Sequence, residues 1–121
     1  MGIIGLAKSR VVCKALRTQG VWNDVLIGQV PTNAEWAQME AALYEAHPRF
    51  RDFMHEHRLL LTDKAHKTCL LIRMGFKPAA ISHMLGTSVA YISIMRSELM
   101  QELFGASGPL RDFDKRIQEI G

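Results

Sequence analysis

Glycine and proline cut this chain into short pieces, and that punctuation constrains the fold more than any other feature. Pro48, Gly75, Pro78, Gly86, Gly105, Gly108 and Pro109 separate stretches in which apolar residues recur at helical spacing. Proline lacks an amide hydrogen and suits the first turn of a helix, whereas glycine enters the left-handed region at no steric cost and so ends one. No run alternates apolar and polar residues for long enough to make a strand. The chain therefore reads as all-α, with about seven short helices.

The segments follow in order. Leu6, Val12, Cys13 and Leu16 predict a helix over residues 3 to 18, stopped near Gly20. Residues 20 to 31 form a connection that Val25, Leu26 and Ile27 pin to a core. Thr32 and Glu35 have capping-box spacing, and Trp36, Met39, Leu43 and Tyr44 then recur on one face. That helix ends before Pro48, because the residue preceding a proline avoids the helical region. Pro48 opens another, with Phe50, Phe53 and Met54 inward. Thr62 caps a helix carrying Asp63, Ala65, Cys69, Leu70, Ile72 and Met74, and Gly75 stops it. Pro78 begins a short helix with Ile81, Met84 and Leu85, ended by Gly86. Ser88 caps the next, whose inner stripe is Ile92, Met95, Leu99 and Leu103. Pro109 starts a last helix with Leu110, Phe113, Ile117 and Ile120. The division between Leu59 and Thr62 separates a helical extension for assembly (residues 1–61) from a second domain (residues 62–121).

Composition excludes several classes. With 121 residues, 48% hydrophobic and 22% charged, the chain is neither disordered nor collagen-like, nor a coiled coil. No stretch is apolar for long enough to span a bilayer, and the apolar start Met1 to Ala7 has no basic leader. Cys13 and Cys69 make no disulfide framework, so a reduced, cytoplasmic setting without a membrane partner is expected. The net charge of +3 is too small to identify a partner, but its distribution is uneven. Lys64, Lys67, Arg73, Lys77 and Arg96 have no acidic residue among them, and Lys8, Arg10, Lys14 and Arg17 precede the first acid, Asp24.

Metal and catalytic chemistry find little support. His55 and His57 point apart on a helix. His66 and Cys69 can face one another, but no second pair completes a zinc site. No metal or other cofactor is expected. There is no glycine-rich phosphate loop after a strand and no nucleophile elbow. Glu40 with Glu45, and Asp112 with Asp114, read as solvated helix faces. No enzymatic activity is expected.

The informative segment runs from Pro78 to Leu103. A short helix, a tight glycine turn and a longer helix make a helix-turn-helix layout, in which the second helix enters the major groove of DNA. The residues also resemble a family. Cys69-Leu-Leu-Ile-Arg-Met-Gly-Phe76, Ile81 to Gly86, Tyr91-Ile92 and Met95-Arg96-Ser97 are similar to the LuxR/GerE-type helix-turn-helix, and more narrowly to the C-terminal domain of Bacteroidetes transcriptional regulators. The tail Leu103-Phe104-Gly105, Ser107-Gly108 and Asp112-Phe113-Asp114 fits the same pattern. So, upstream, do Glu35-Trp36, Pro48-Arg49-Phe50 and, faintly, Ser9 to Val12.

The resemblance implies sequence-specific binding to duplex DNA in transcription regulation, with a recognition helix over about residues 88–103. Its base-facing positions fall at Ser93, Ile94 and Ser97, with Val89, Ala90 and Tyr91 approaching from the first turn. Lys77, Ser88 and Arg96 become phosphate contacts. A homodimer is expected, with the N-terminal helices as its surface, and an upstream sensor region is a further expected partner. Physically, a serine bonds a base edge or a phosphate, and Ile94 can meet a thymine methyl. The early recognition helix holds no Arg, Lys, Asn or Gln before Arg96, hence no bidentate partner for guanine or adenine. Arg96 has a second reading, as the edge of the core stripe closing a salt bridge. The apolar Val89, Tyr91 and Ile94 likewise have two: covered by Trp22, the 21–30 connection or the last helix, or open as a partner-binding face. The alternative function is accordingly a helical interaction or dimerisation module with a degenerate helix-turn-helix.

Overall fold

A computed structural model of the chain describes residues 33–120. The expected helix over 3–18, the connection to residue 31, the Thr32 half of the capping box, Cys13 and Trp22 lie outside the described residues. Within them are six α-helices and no strand: α1 (Asn33–Ala46), α2 (Pro48–Glu56), α3 (Asp63–Arg73), α4 (Pro78–Leu85), α5 (Val89–Phe104) and α6 (Leu110–Gln118). A 3-10 turn, Arg58–Leu60, joins α2 to α3. No helix among the described residues is long and apolar enough to cross a membrane.

Local chemistry accounts for the boundaries. Pro48 and Pro78 each sit in the first turn of their helix, where a missing amide donor leaves no bond unmade. The Thr62 hydroxyl accepts the Ala65 amide at 3.1 Å, and Asp63 supplies negative charge to the same helix start. After α3 the chain turns through Gly75 at φ 92°, and the Phe76 amide reaches back to the Leu71 carbonyl at 3.0 Å. After α4, Gly86 takes φ 67°, and the Thr87 amide bonds the Ser82 carbonyl at 2.9 Å.

The core is continuous. α3 is its centre: from Thr68 to Met74 every residue is buried, so the helix has helices on most of its circumference. It packs on α4, α5 and α6, while α4 and α6 each lie against α5. Trp36, Met39, Leu43 and Tyr44 of α1 and Phe50 and Met54 of α2 join the same cluster as Leu71, Ile72, Ile92, Leu99, Phe113 and Ile117. Met100, outside the expected stripe of α5, is buried as well.

Polar side chains close the corner where α1, α3 and the chain end meet. Arg73 donates from Nε to the Ile120 carbonyl at 2.9 Å and from Nη2 to His47 Nδ1 at 3.0 Å. Gln118 adds a bond to the Ile72 carbonyl at 3.1 Å. Burial first, and the Arg73 charge second, hold the His47 imidazole below its ordinary pKa. These links join residues far apart in sequence, and none was expected.

Candidate nucleic-acid interface

The start of α5 concentrates the residues singled out from the sequence. Ser88 caps the helix, its hydroxyl accepting the Tyr91 amide at 3.0 Å. Its hydroxyl hydrogen stays available to a further acceptor. Ile92, Met95 and Leu99 hold the inner side of α5 against the core. Ser88, Val89, Ala90, Tyr91, Ile94 and Ser97 are exposed, Ile94 to 60%, and Ser93 is half-buried. Lys77 is exposed at the cap of α4.

The outer surface of α5 has two sides. Ala90, Ser93 and Ser97 follow the i, i+3, i+7 spacing of one helical stripe. Tyr91, Ile94, Glu98 and Glu102 follow the same spacing on another, and that stripe walls a groove against Leu60 and the start of α3. The first stripe is made of small side chains, two of them serines, and is free of acids. The second mixes apolar side chains with two carboxylates.

Arg96 does not stand on the exposed surface. It is 5% exposed, and its guanidinium donates through Nε to Asp114 Oδ1 at 3.0 Å and through Nη2 to Oδ2. This is the salt-bridge reading of Arg96, and it leaves the guanidinium committed within the chain rather than aimed at a phosphate. Burial pushes the Asp114 carboxyl above the usual carboxylate range, even though the bonds and charge of Arg96 pull the other way. Asp114 is correspondingly half-buried, which corrects its reading as part of a solvated acidic face: the fully buried Phe113 beside it draws this turn of α6 onto α5.

The remaining cations fill out the picture. Lys64 Nζ lies 5.7 Å from the Tyr91 ring centroid, which brings an exposed cation beside the start of α5. Lys67 bonds Asp63 at 3.0 Å and sits 5.1 Å from the Trp36 ring centroid. Arg73 is taken up by His47 and Ile120. Of the five cations in the acid-free run, Lys64 and Lys77 are thus the exposed ones without an ion pair among the described residues.

His66 and Cys69 do not form a site together. His66 bonds Glu40 at 3.2 Å, and Cys69 is wholly buried, its thiol pushed up to about 12 by burial. No group of three or more metal-binding side chains occurs among the described residues. The groove beside α5 was missed by sequence reasoning. Its one signal was the run Arg58-Leu59-Leu60-Leu61 in a connection, where three leucines in a row have no helical stripe to belong to. Comparison with protein-family models, with curated proteins and with solved structures finds no match to the chain.

Proposed function

We propose that the chain binds duplex DNA for transcription regulation, with α4, the Gly86 turn and α5 acting as a helix-turn-helix of the LuxR/GerE type. The observation that carries this reading is the exposed, acid-free stripe at the start of α5, on a helix whose opposite side is locked into the core. A helix so held can enter the major groove without rearrangement. Val89, Ala90, Ser93 and Ser97 then face base edges, with Tyr91 and Ile94 at the flank. Ser88, Lys77 and Lys64 approach phosphates. Arg96 keeps its bond to Asp114 and positions α5 on α6 rather than touching DNA. The Glu98 and Glu102 stripe repels phosphate and turns away from the duplex. No catalysis belongs to this reading.

The set of DNA-facing side chains predicts modest affinity. With no bidentate base partner, hydrogen bonds from two serines and apolar contacts supply the discrimination. Two lysines per copy, in a pair of copies, neutralise roughly four phosphates and give a log–log salt slope near −3.6. Fluorescence anisotropy with random and genomic duplexes over a salt series tests this. Lys77→Ala should weaken all duplexes alike and make the slope shallower by roughly 0.9 for each phosphate it leaves without a cation. Ser93→Ala or Ser97→Ala should change which sequence is preferred. No binding to any duplex at low salt would overturn the reading.

A further inference from the structure

The groove beside α5 is open, about 200 Å3 in volume, and apolar at its base through Met95 and Leu99. Leu60, Tyr91 and Ile94 edge it, and Glu98 and Glu102 stand along one wall. Neither carboxylate enters an ion pair among the described residues. Next to the groove the 3-10 turn pushes Leu59 into solvent at 91% exposure. Arg58, also exposed, spends one guanidinium hydrogen on the His55 carbonyl at 2.8 Å and forms no ion pair among the described residues. The turn that brings Leu60 to the groove thus also carries an apolar knob with a cation beside it, next to an apolar hollow with two anions along its wall. Exposed apolar surface of this concentration marks a contact.

We propose that this face joins two copies of the chain. Under a two-fold axis each copy sets Leu59 into the groove of the other, and each Arg58 meets Glu98 and Glu102 of the other copy. A two-fold interface requires one surface to complement itself, and here knob with hollow and cation with anions lie side by side on that surface. DNA is a poor occupant because the carboxylates repel it. An unrelated apolar helix laid in the groove would satisfy the hollow and leave Leu59 in water. Resting on one leucine and one arginine from each copy, against the roughly 20–30 residues a side of a standard interface, the association is weak and reversible. It leaves the Ala90, Ser93 and Ser97 stripe open, so a pair assembled this way carries two such stripes outward. Self-association through this face takes up the interaction reading of the sequence and is independent of DNA binding.

Sedimentation equilibrium of the full chain, from about 1 to 300 µM, is the test, since an interface of so few side chains belongs to the weak class. A monomer–dimer equilibrium is expected. Leu59→Ser should raise the dissociation constant at least tenfold, about 1.4 kcal/mol. Its side chain touches water, so an unchanged circular dichroism melt accompanies the effect. Arg58→Glu should act likewise, and Arg58→Glu combined with Glu98→Arg and Glu102→Arg should restore the dimer. A wild-type monomer throughout, a dimer indifferent to Leu59→Ser, or a charge exchange that stays dissociated would each overturn the proposal. Because mass is the readout, none of these results decides whether the chain binds DNA: a wild-type monomer throughout would bring the expected salt slope to about −1.8, two phosphates in place of four, and a failed DNA titration leaves the self-association standing.

Discussion

Removing Asp114 should damage the protein more than removing Arg96, although the two form one ion pair. The Arg96 side chain is 7% exposed and that of Asp114 is 25% exposed. Asp114→Ala strands a guanidinium that water barely reaches, which costs about 3 kcal/mol, the low end for a broken buried pair. Arg96→Met strands a carboxylate that water does reach. That carboxylate also ionises reluctantly, since burial already raises its pKa, so it can rehydrate or take a proton. The loss is then closer to about 1.5 kcal/mol, the low end for a hydrogen bond to a charged group. At roughly 4 °C per kcal/mol for a chain of this size, the melting temperature falls by about 12 °C for Asp114→Ala and about 6 °C for Arg96→Met. The double variant Arg96→Met, Asp114→Ala leaves neither charge stranded and should lose clearly less than the sum of the two single losses. Thermal and urea unfolding of the four proteins complete the cycle. An Arg96→Met loss exceeding that of Asp114→Ala, or strict additivity of the two, would refute the reasoning. So would an Arg96→Met protein that melts normally yet loses DNA, which is the behaviour of a phosphate contact.

Two further outcomes follow from the described geometry. Gly86→Ala should lose about 1–2 kcal/mol in urea unfolding, because φ 67° is left-handed while no atom lies within 4 Å of the added Cβ; Gly86→Asn should lose less, and a neutral alanine would contradict the turn. The His47 imidazole ionises at lower pH in the folded chain than when unfolded, so its contribution is whole above the unfolded value near 6.5 and is lost as pH falls from there towards the folded one. The wild-type melting temperature should accordingly drop between pH 7.5 and 5.5 by more than that of His47→Gln, which can still accept from Arg73; equal drops would remove His47 from the account.

Short-range rules were legible and long-range pairings were not. Thr62 and Ser88 announce their caps because the hydroxyl and its amide lie three residues apart. Gly75, Gly86 and Gly105 mark their stops for a similar reason: the backbone demand sits on one residue. The inner stripes of α1, α3 and α5 follow from periodicity. Met100 escaped because α6, folding back from Leu110, covers a side of α5 that a lone helix would leave wet. Arg96 with Asp114, and Arg73 with His47 and Ile120, bridge 18, 26 and 47 residues, and periodicity holds no record of such partners. The candidate interface divided in the same way. The exposure of Val89, Ala90, Ile94 and Ser97 was foreseeable from the stripe opposite the core. The splitting of that surface into an acid-free side and an acid-walled groove needed the position of α3 and the turn before it.

Cys69 sits at the crowded middle of α3 and makes a built-in alarm. A thiol wholly withdrawn from solvent, with its ionisation pushed far above neutral pH, is nearly inert towards alkylating reagents. Its labelling therefore has to wait for the helices around it to part. With Cys13 replaced by serine, the rate at which Cys69 takes up a reagent becomes a clock for opening of the whole core, one that needs no fluorophore and no engineered probe.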